Sequence, residues 1–184
     1  EGIEFGLKML DTINKTNERM EKQYKAPHNC EQVPAENSSI KLCKKDKLNG
    51  YEIGYNLYSN QFIPLTTKAD LLDRIKLQGI FDKHFSGGSI CHLNVEEEIT
   101  DYTKIEKLIV SSAKQGVIYF AINYNIQRCK NDHMTVGRGD ICSICGEPIE
   151  ENFTRVVGFQ TSVKNWNQTR RDEDYVNRQF YTTI

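Results

Sequence analysis

Cys129, His133, Cys142 and Cys145 stand in the pattern C-x3-H, eight further residues, then C-x2-C. Thiolates and imidazole are soft or borderline donors, and four of them at this spacing suit one tetrahedral ion, as a structural zinc knuckle requires. A redox CxxC is the competing reading. Such a pair usually opens a helix after a strand, whereas here Gly146-Glu147-Pro148 follows and a second ligand-bearing segment lies upstream, which favours zinc. Metal binding on the order of 10 kcal/mol would fold a loop of this size that has little core of its own. Asp132 or a water could complete the set in place of His133. After an acidic spacer comes Arg155-Val156-Val157-Gly158-Phe159, where a lone glycine sits in an apolar stretch without other turn formers. A tight turn explains that glycine poorly. Together the two features describe a metal-pinned tail that carries a functional glycine.

A second place for chemistry is the turn Ala35, Glu36, Asn37, Ser38, Ser39, which follows Pro34 and opens a helix ending at Asn49-Gly50. A strand, a turn and a polar helix start make an anion seat, because free N–H groups and the helix dipole point the same way. On spacing alone, Asn37 or Ser38 serves as an ordinary cap. His28, His84 and His92 lack ligand spacing; His92, between Gly87-Gly88 and Leu93-Asn94, is the most site-like. Cys30, Cys43 and Cys91 fall on predicted elements and read as small buried hydrophobes.

The elements that must position these groups follow from periodicity. Ile3, Phe5, Leu7, Leu10, Ile13 and Met20 predict an amphipathic helix over residues 2–24, closed by Ala26-Pro27. The helix begins with neither an initiating methionine nor a cap sequence, which fits a piece of a longer chain. His28–Val33 reads as a short strand and 51–65 as extended structure. Thr66–Gly79 reads as a helix with Gly79 past its end, and 90–95 as a strand. A helix capped near Asp101 or Thr103 and a buried strand over 117–125 follow. This alternation implies an α/β layer with right-handed crossovers.

The chain has 184 residues, 38% of them apolar and 27% charged, with four prolines, the composition of a folded globular protein. Lys+Arg 24 against Asp+Glu 25 gives a net charge of -1, so no global basic field draws it to nucleic acid or anionic lipid. No apolar run reaches the roughly 20 residues of a spanning helix, and the start lacks the form of a secretion signal. A cytoplasmic protein with no membrane or nucleic-acid partner is expected. Six cysteines in a reducing cytosol favour metal ligation and free thiols over disulfides.

RVVGF after a zinc knuckle resembles the glycyl-radical tail of the class III, anaerobic ribonucleoside-triphosphate reductases. NCEQVPAENSS (29–39), YSNQFIPL (58–65) and GGSICHLN (87–94) look like successive segments of that family's C-terminal part, so the resemblance covers essentially the whole chain. It implies part of a ribonucleotide reductase-like α/β barrel (1–125), a zinc knuckle (126–150) and a glycyl-radical loop with C-terminal tail (151–184). It also implies removal of the 2′-hydroxyl of a ribonucleoside triphosphate by radicals, with formate or a thiol system as reductant. Gly158 would carry the radical, installed by a separate S-adenosylmethionine/iron–sulfur activase. Glycine suits this because a Cα radical flattens and spreads over the flanking amides, and a Cβ would crowd that form.

By the same resemblance, Ala35 to Ser39 seat the substrate phosphates, and a structural zinc sits beside the radical loop and holds its base. The complete enzyme is expected to be a homodimer. Two departures stand out. The family's chain is several times longer, with its thiyl-radical cysteine and allosteric site in an N-terminal portion that a second polypeptide or segment must supply. In addition, C-x3-H replaces the double CxxC of many relatives. The alternatives are a zinc-ribbon module that docks on a protein, and a glycyl-radical spare-part protein of the kind related to pyruvate formate-lyase, in which no knuckle is expected.

Overall fold

A fully buried strand and a second strand with alternating burial, joined by a helix, build a strand–helix–strand unit in the middle of the chain. The structure, a computed structural model, describes residues 1–182. Strand β1 (Cys91–Val95) pairs in parallel with β2 (Phe120–Tyr124), from Cys91 opposite Phe120 to Val95 opposite Tyr124. Helix α4 (Tyr102–Lys114) makes the crossover between them, and its N-cap is Asp101, whose carboxylate accepts the Thr103 N–H. Helix α3 (Leu71–Asp82) joins α4 over Ile75, Cys91, Leu93, Leu108 and Val117, the main core. Each large apolar side chain buried there contributes roughly 1.5–3 kcal/mol.

Helix α1 (Gly2–Tyr24) buries only Leu10, beside Cys30 and Phe81, while Ile3, Phe5, Met9 and Ile13 remain exposed. Helix α2 (Ser38–Leu48) follows the 35–39 turn. No helix among the described residues is long and apolar enough to cross a membrane.

Two predicted elements differ. His28–Val33 is not a strand: it makes a single bridge, Glu31 to Gly88. Pro27 and Pro34 flank it and donate no N–H, so no ladder can grow in either direction. The helix expected over Thr66–Gly79 is shifted to Leu71–Asp82. Residues before it are held out of helix by distant partners: Ala69 N–H donates to Gln179, and the Arg74 guanidinium takes the carbonyls of Ile63, Pro64 and Thr67.

Gly79 therefore lies inside α3 and does not end it. A Cβ there would meet the Gln115 carbonyl oxygen at 1.9 Å, so the glycine permits the close approach of α3 to the end of α4. Gly79→Ala should force the two apart and cost ~1–3 kcal/mol. Urea unfolding of the metal-loaded protein checks this, with a lower midpoint at unchanged slope as the expected result.

The last third forms an antiparallel sheet that the periodicity did not predict. Its order is β4 (Met134–Val136), β3 (Ile126–Cys129), β5 (Ile149–Arg155), β6 (Gln160–Ser162). A short 3-10 turn (Val163–Asn165) and a π-helical segment (Arg170–Tyr175) pack under it through Val156, Val163, Trp166 and Tyr175. The parallel pair and this sheet stay separate, so no barrel is closed among the described residues. The fold is mixed α/β.

Candidate functional site

The knuckle is built at one end of the β3–β5 pair. Cys129 ends β3, and the return turn places His133 beside it, with Cys129 N–H donating to the His133 carbonyl. Cys142 and Cys145 come from the second turn, which closes when Gly146, at φ 74°, donates its N–H to the Cys142 carbonyl. That left-handed φ suits glycine. The four ligand atoms all lie within 4.8 Å of one another. The Cys129 and Cys145 sulfurs are 3.7 Å apart and Cys142 Sγ is 3.9 Å from His133 Nδ1. Two sulfurs on a tetrahedral zinc, at ~2.3 Å each, stand about 3.8 Å apart, so the donor set fits that ion.

Burial raises the Cys142 thiol, but the backbone N–H groups of Cys145 and Ile144 and the neighbouring sulfurs outweigh it and bring it down to about 6. A thiolate is the form a metal needs. Asp132, the other candidate for the fourth position, turns instead to Arg128 at 2.9 Å.

Gly158 sits at the opposite end of β5, in the bend Val156–Phe159 that joins β5 to β6, closed by Val156 N–H on the Phe159 carbonyl. The expectation that this glycine would not belong to a turn is corrected by that bend. Yet the bend does not need a glycine. Its φ lies outside the left-handed region, and a Cβ would meet Glu36 Oε1 and Pro34 at an ordinary 3.5 Å. The knuckle is also not beside the loop. Six residue steps along β5 separate the two ends, roughly 20 Å at strand rise, so the ligand cluster lies at the far end of the ribbon whose tip is Gly158.

The 35–39 turn comes directly against this tip. Gly158 N–H donates to Glu36 Oε1 at 3.4 Å, and Ala35 takes a left-handed φ of 54°. Neither Asn37 nor Ser38 caps α2: Asn37 is the N-cap by position but makes no side-chain cap bond. The turn is held from behind by Arg170, whose Nε donates to the Glu36 carbonyl at 2.8 Å and Nη2 to Ser39 Oγ at 2.8 Å.

Arg170 is buried, and so is its partner Asp174, which also pairs with buried Arg178. Arg178 donates to the carbonyls of Arg155 and Val156 at 2.6 Å each, at the base of the glycine bend. Sequence reasoning missed these three residues. Their i, i+4, i+8 spacing was visible, but it is also the spacing of a solvated helix face.

Beside the arginines lies a cavity of about 420 Å³ lined by Tyr58, Asn60, Pro64, Val157, Arg170 and Arg178 among others, a size suited to a small molecule. His92 is buried, with Nδ1 on the Asn123 amide at 3.0 Å. Burial, and then the charges of Arg178 and Arg155, push it down to about 4, so it is neutral near pH 7. Cys91 is fully buried, and burial pushes its thiol up to about 12, which makes it inert, as its predicted role as a small hydrophobe requires. Cys30 and Cys43 are likewise buried.

Fold and site thus define a mixed α/β protein with a four-ligand metal knuckle and a glycine-tipped hairpin at opposite ends of one antiparallel ribbon. The sequence model of the anaerobic ribonucleoside-triphosphate reductases matches residues 1–181, and the chain belongs to that family, one of oxidoreductases that make DNA precursors. A solved anaerobic ribonucleotide reductase is 36% identical, superposes with a TM-score of 0.88, and is matched over 100% of this chain and 30% of its own. The enzyme from Thermotoga maritima with glycerol in its active site is 35% identical with a TM-score of 0.79, over 95% of this chain and 28% of its own. The same enzyme in complex with dATP and CTP gives 35% and 0.79, over 94% and 28%. This chain therefore spans about 30% of the length of the first of these relatives. No curated protein matches it.

Proposed function

We propose that this chain supplies the radical-bearing C-terminal part of an anaerobic ribonucleoside-triphosphate reductase, with Gly158 as the radical carbon. The observation that carries the reading is that the bend holding Gly158 gives no steric or conformational reason for a glycine. A chemical reason remains. Only at glycine can a Cα radical lie flat between two amides without a side chain in the way.

In this reading a separate S-adenosylmethionine/iron–sulfur activase removes one hydrogen atom from the Gly158 Cα, and the glycyl radical then takes a hydrogen atom from a cysteine in the remainder of the enzyme. The 2′-hydroxyl of the ribose leaves as water. Two electrons come from formate, oxidised to carbon dioxide, or from a thiol pair, oxidised to a disulfide. The 35–39 turn at the start of α2 seats the triphosphate, and the cavity beside Tyr58 and Asn60 receives the rest of the substrate. Cys129, His133, Cys142 and Cys145 hold a structural zinc, since four protein donors leave no open position for substrate.

Residues 1–125 form one part of the reductase barrel, to which β1, β2 and their helices contribute, with the knuckle at 126–150 and the radical loop and tail at 151–184. The exposed apolar side of α1 supports an N-terminal portion packing there. The complete enzyme works as a cytoplasmic homodimer.

The test uses the full-length reductase that contains this chain. Anaerobic activation should give a doublet in the electron paramagnetic resonance spectrum and deoxyribonucleotide product from a ribonucleoside triphosphate. Absence of both, with an activase shown to be competent on another reductase, would overturn the reading.

A further inference from the structure

The two peptide groups on either side of the Gly158 Cα are held by opposite charges. On the amino side, the Gly158 N–H donates to the Glu36 carboxylate at 3.4 Å. On the carboxyl side, the Arg155 guanidinium donates to the Gly158 carbonyl oxygen at 3.2 Å. An anion accepting from the amide N–H pushes electron density onto nitrogen, and a cation at the carbonyl oxygen draws density into the C=O. A carbon radical between an amide nitrogen and a carbonyl is stabilised by both shifts, because it shares its unpaired electron with a donor on one side and an acceptor on the other. Both contacts are longer than the strongest charge-assisted bonds, so it is the full charge on each partner that carries the polarisation.

The backbones of these two charged residues are gripped in the same way. Arg170 Nε donates to the Glu36 carbonyl, and Arg178 Nη1 donates to the Arg155 carbonyl. Asp174 joins the two arginines, with one carboxylate oxygen 2.7 Å from Arg170 Nη1 and the other 2.7 Å from Arg178 Nε. The Trp166 ring covers Arg178 at 4.7 Å. A buried carboxylate bonded to two buried arginines is expensive to break once formed. That chain fixes the distance between the turn that offers the anion and the hairpin that offers the cation.

We propose that Glu36 and Arg155 stabilise the Gly158 radical by polarising its two flanking peptide groups, and that Asp174, through Arg170 and Arg178, is the positioning residue that holds the pair in place. This rests on the reading that Gly158 carries the radical.

The test is made on the activated full-length reductase by following the decay of the doublet under strict anaerobiosis after the activase is removed. Glu36→Gln and Arg155→Met should each speed decay by roughly fivefold or more, the scale of one ordinary hydrogen bond, with zinc content and circular dichroism unchanged. Arg155→Lys, which keeps the cation, should restore decay to within about twofold of wild type, a rescue that a merely structural role would not give. Asp174→Asn should act in the same direction from a distance; if it fails to fold, the two surface variants decide alone.

Wild-type decay rates in both Glu36→Gln and Arg155→Met would overturn the proposal. So would variants that never form a doublet while the wild type does, because that outcome assigns the pair to activation and not to radical persistence. No doublet in the wild type itself would instead sink the reading of Gly158, and the two failures are distinguishable.

Discussion

Gly158→Ala in the full-length reductase is expected to abolish both the doublet and deoxyribonucleotide formation while leaving the fold untouched. Its force lies in how well the structure accommodates the methyl group. The nearest atoms to an added Cβ are Glu36 Oε1 and Pro34 Cγ, both at 3.5 Å, and the φ at this position is open to any residue. At such a site alanine is neutral or stabilising by ~0.5 kcal/mol, because it restricts the unfolded chain. Thermal unfolding should therefore match wild type, and so should the metal-to-protein ratio, since the knuckle sits at the far end of β5. Activity should nonetheless fall to background. A stable, metal-loaded variant that still gives the wild-type doublet would move the radical elsewhere; one that unfolds would return the glycine to an ordinary packing role.

How much of this was legible beforehand divides along a physical line. Local signals were readable: the Asp101 cap, the Asn49-Gly50 stop after α2, a strand ending near Tyr124, though it is shorter than expected and buried only at alternate residues, and the ligand spacing that brings Cys129, His133, Cys142 and Cys145 together. Each depends on neighbours within a few residues. Hidden features depended on distant partners. Gly79 reads as a helix stop until the Gln115 carbonyl arrives from the next helix. Residues 66–70 read as helix until Gln179 and Arg74 claim their backbone.

The antiparallel ribbon went unseen because its strands are short and half-buried, as in the three residues of β4 and of β6. Arg170, Asp174 and Arg178 were invisible as a site for a different reason. Their spacing is common on exposed helices, and only their burial, with the carbonyls of Glu36 and Arg155 as acceptors, separates them from surface pairs. The anion seat was legible as a position but not in its contact with the glycine, since 122 residues separate the two ends of that bond.

Removing one knuckle ligand should have the largest effect on stability. Between β3 and β5 the chain has almost no core of its own: Met134, Ile141 and Ile144 are exposed, and Cys129 and Cys142 are the apolar side chains buried there. If zinc fills the four-ligand site, as proposed, its binding of ~10 kcal/mol or more doubles as folding free energy for these turns. Cys142→Ser should lose the metal. Residues 130–148 should then exchange their amide hydrogens freely, while β1, α3 and α4 keep their protection, because their core lies in a separate cluster. Acidification of the wild type should do the same, since protons compete with the ion for three thiolates and one imidazole.

The fourth ligand is decided by a pair of variants. His133→Ala should weaken zinc by more than roughly 100-fold, beyond the usual cost of a supporting partner. Asp132→Ala should leave the metal content unchanged, because that carboxylate serves Arg128 on the surface. Equal zinc affinity in His133→Ala and wild type would remove His133 from the set and hand its place to another donor. Intact protection of residues 130–148 after chelation would show that the ribbon stands without the ion.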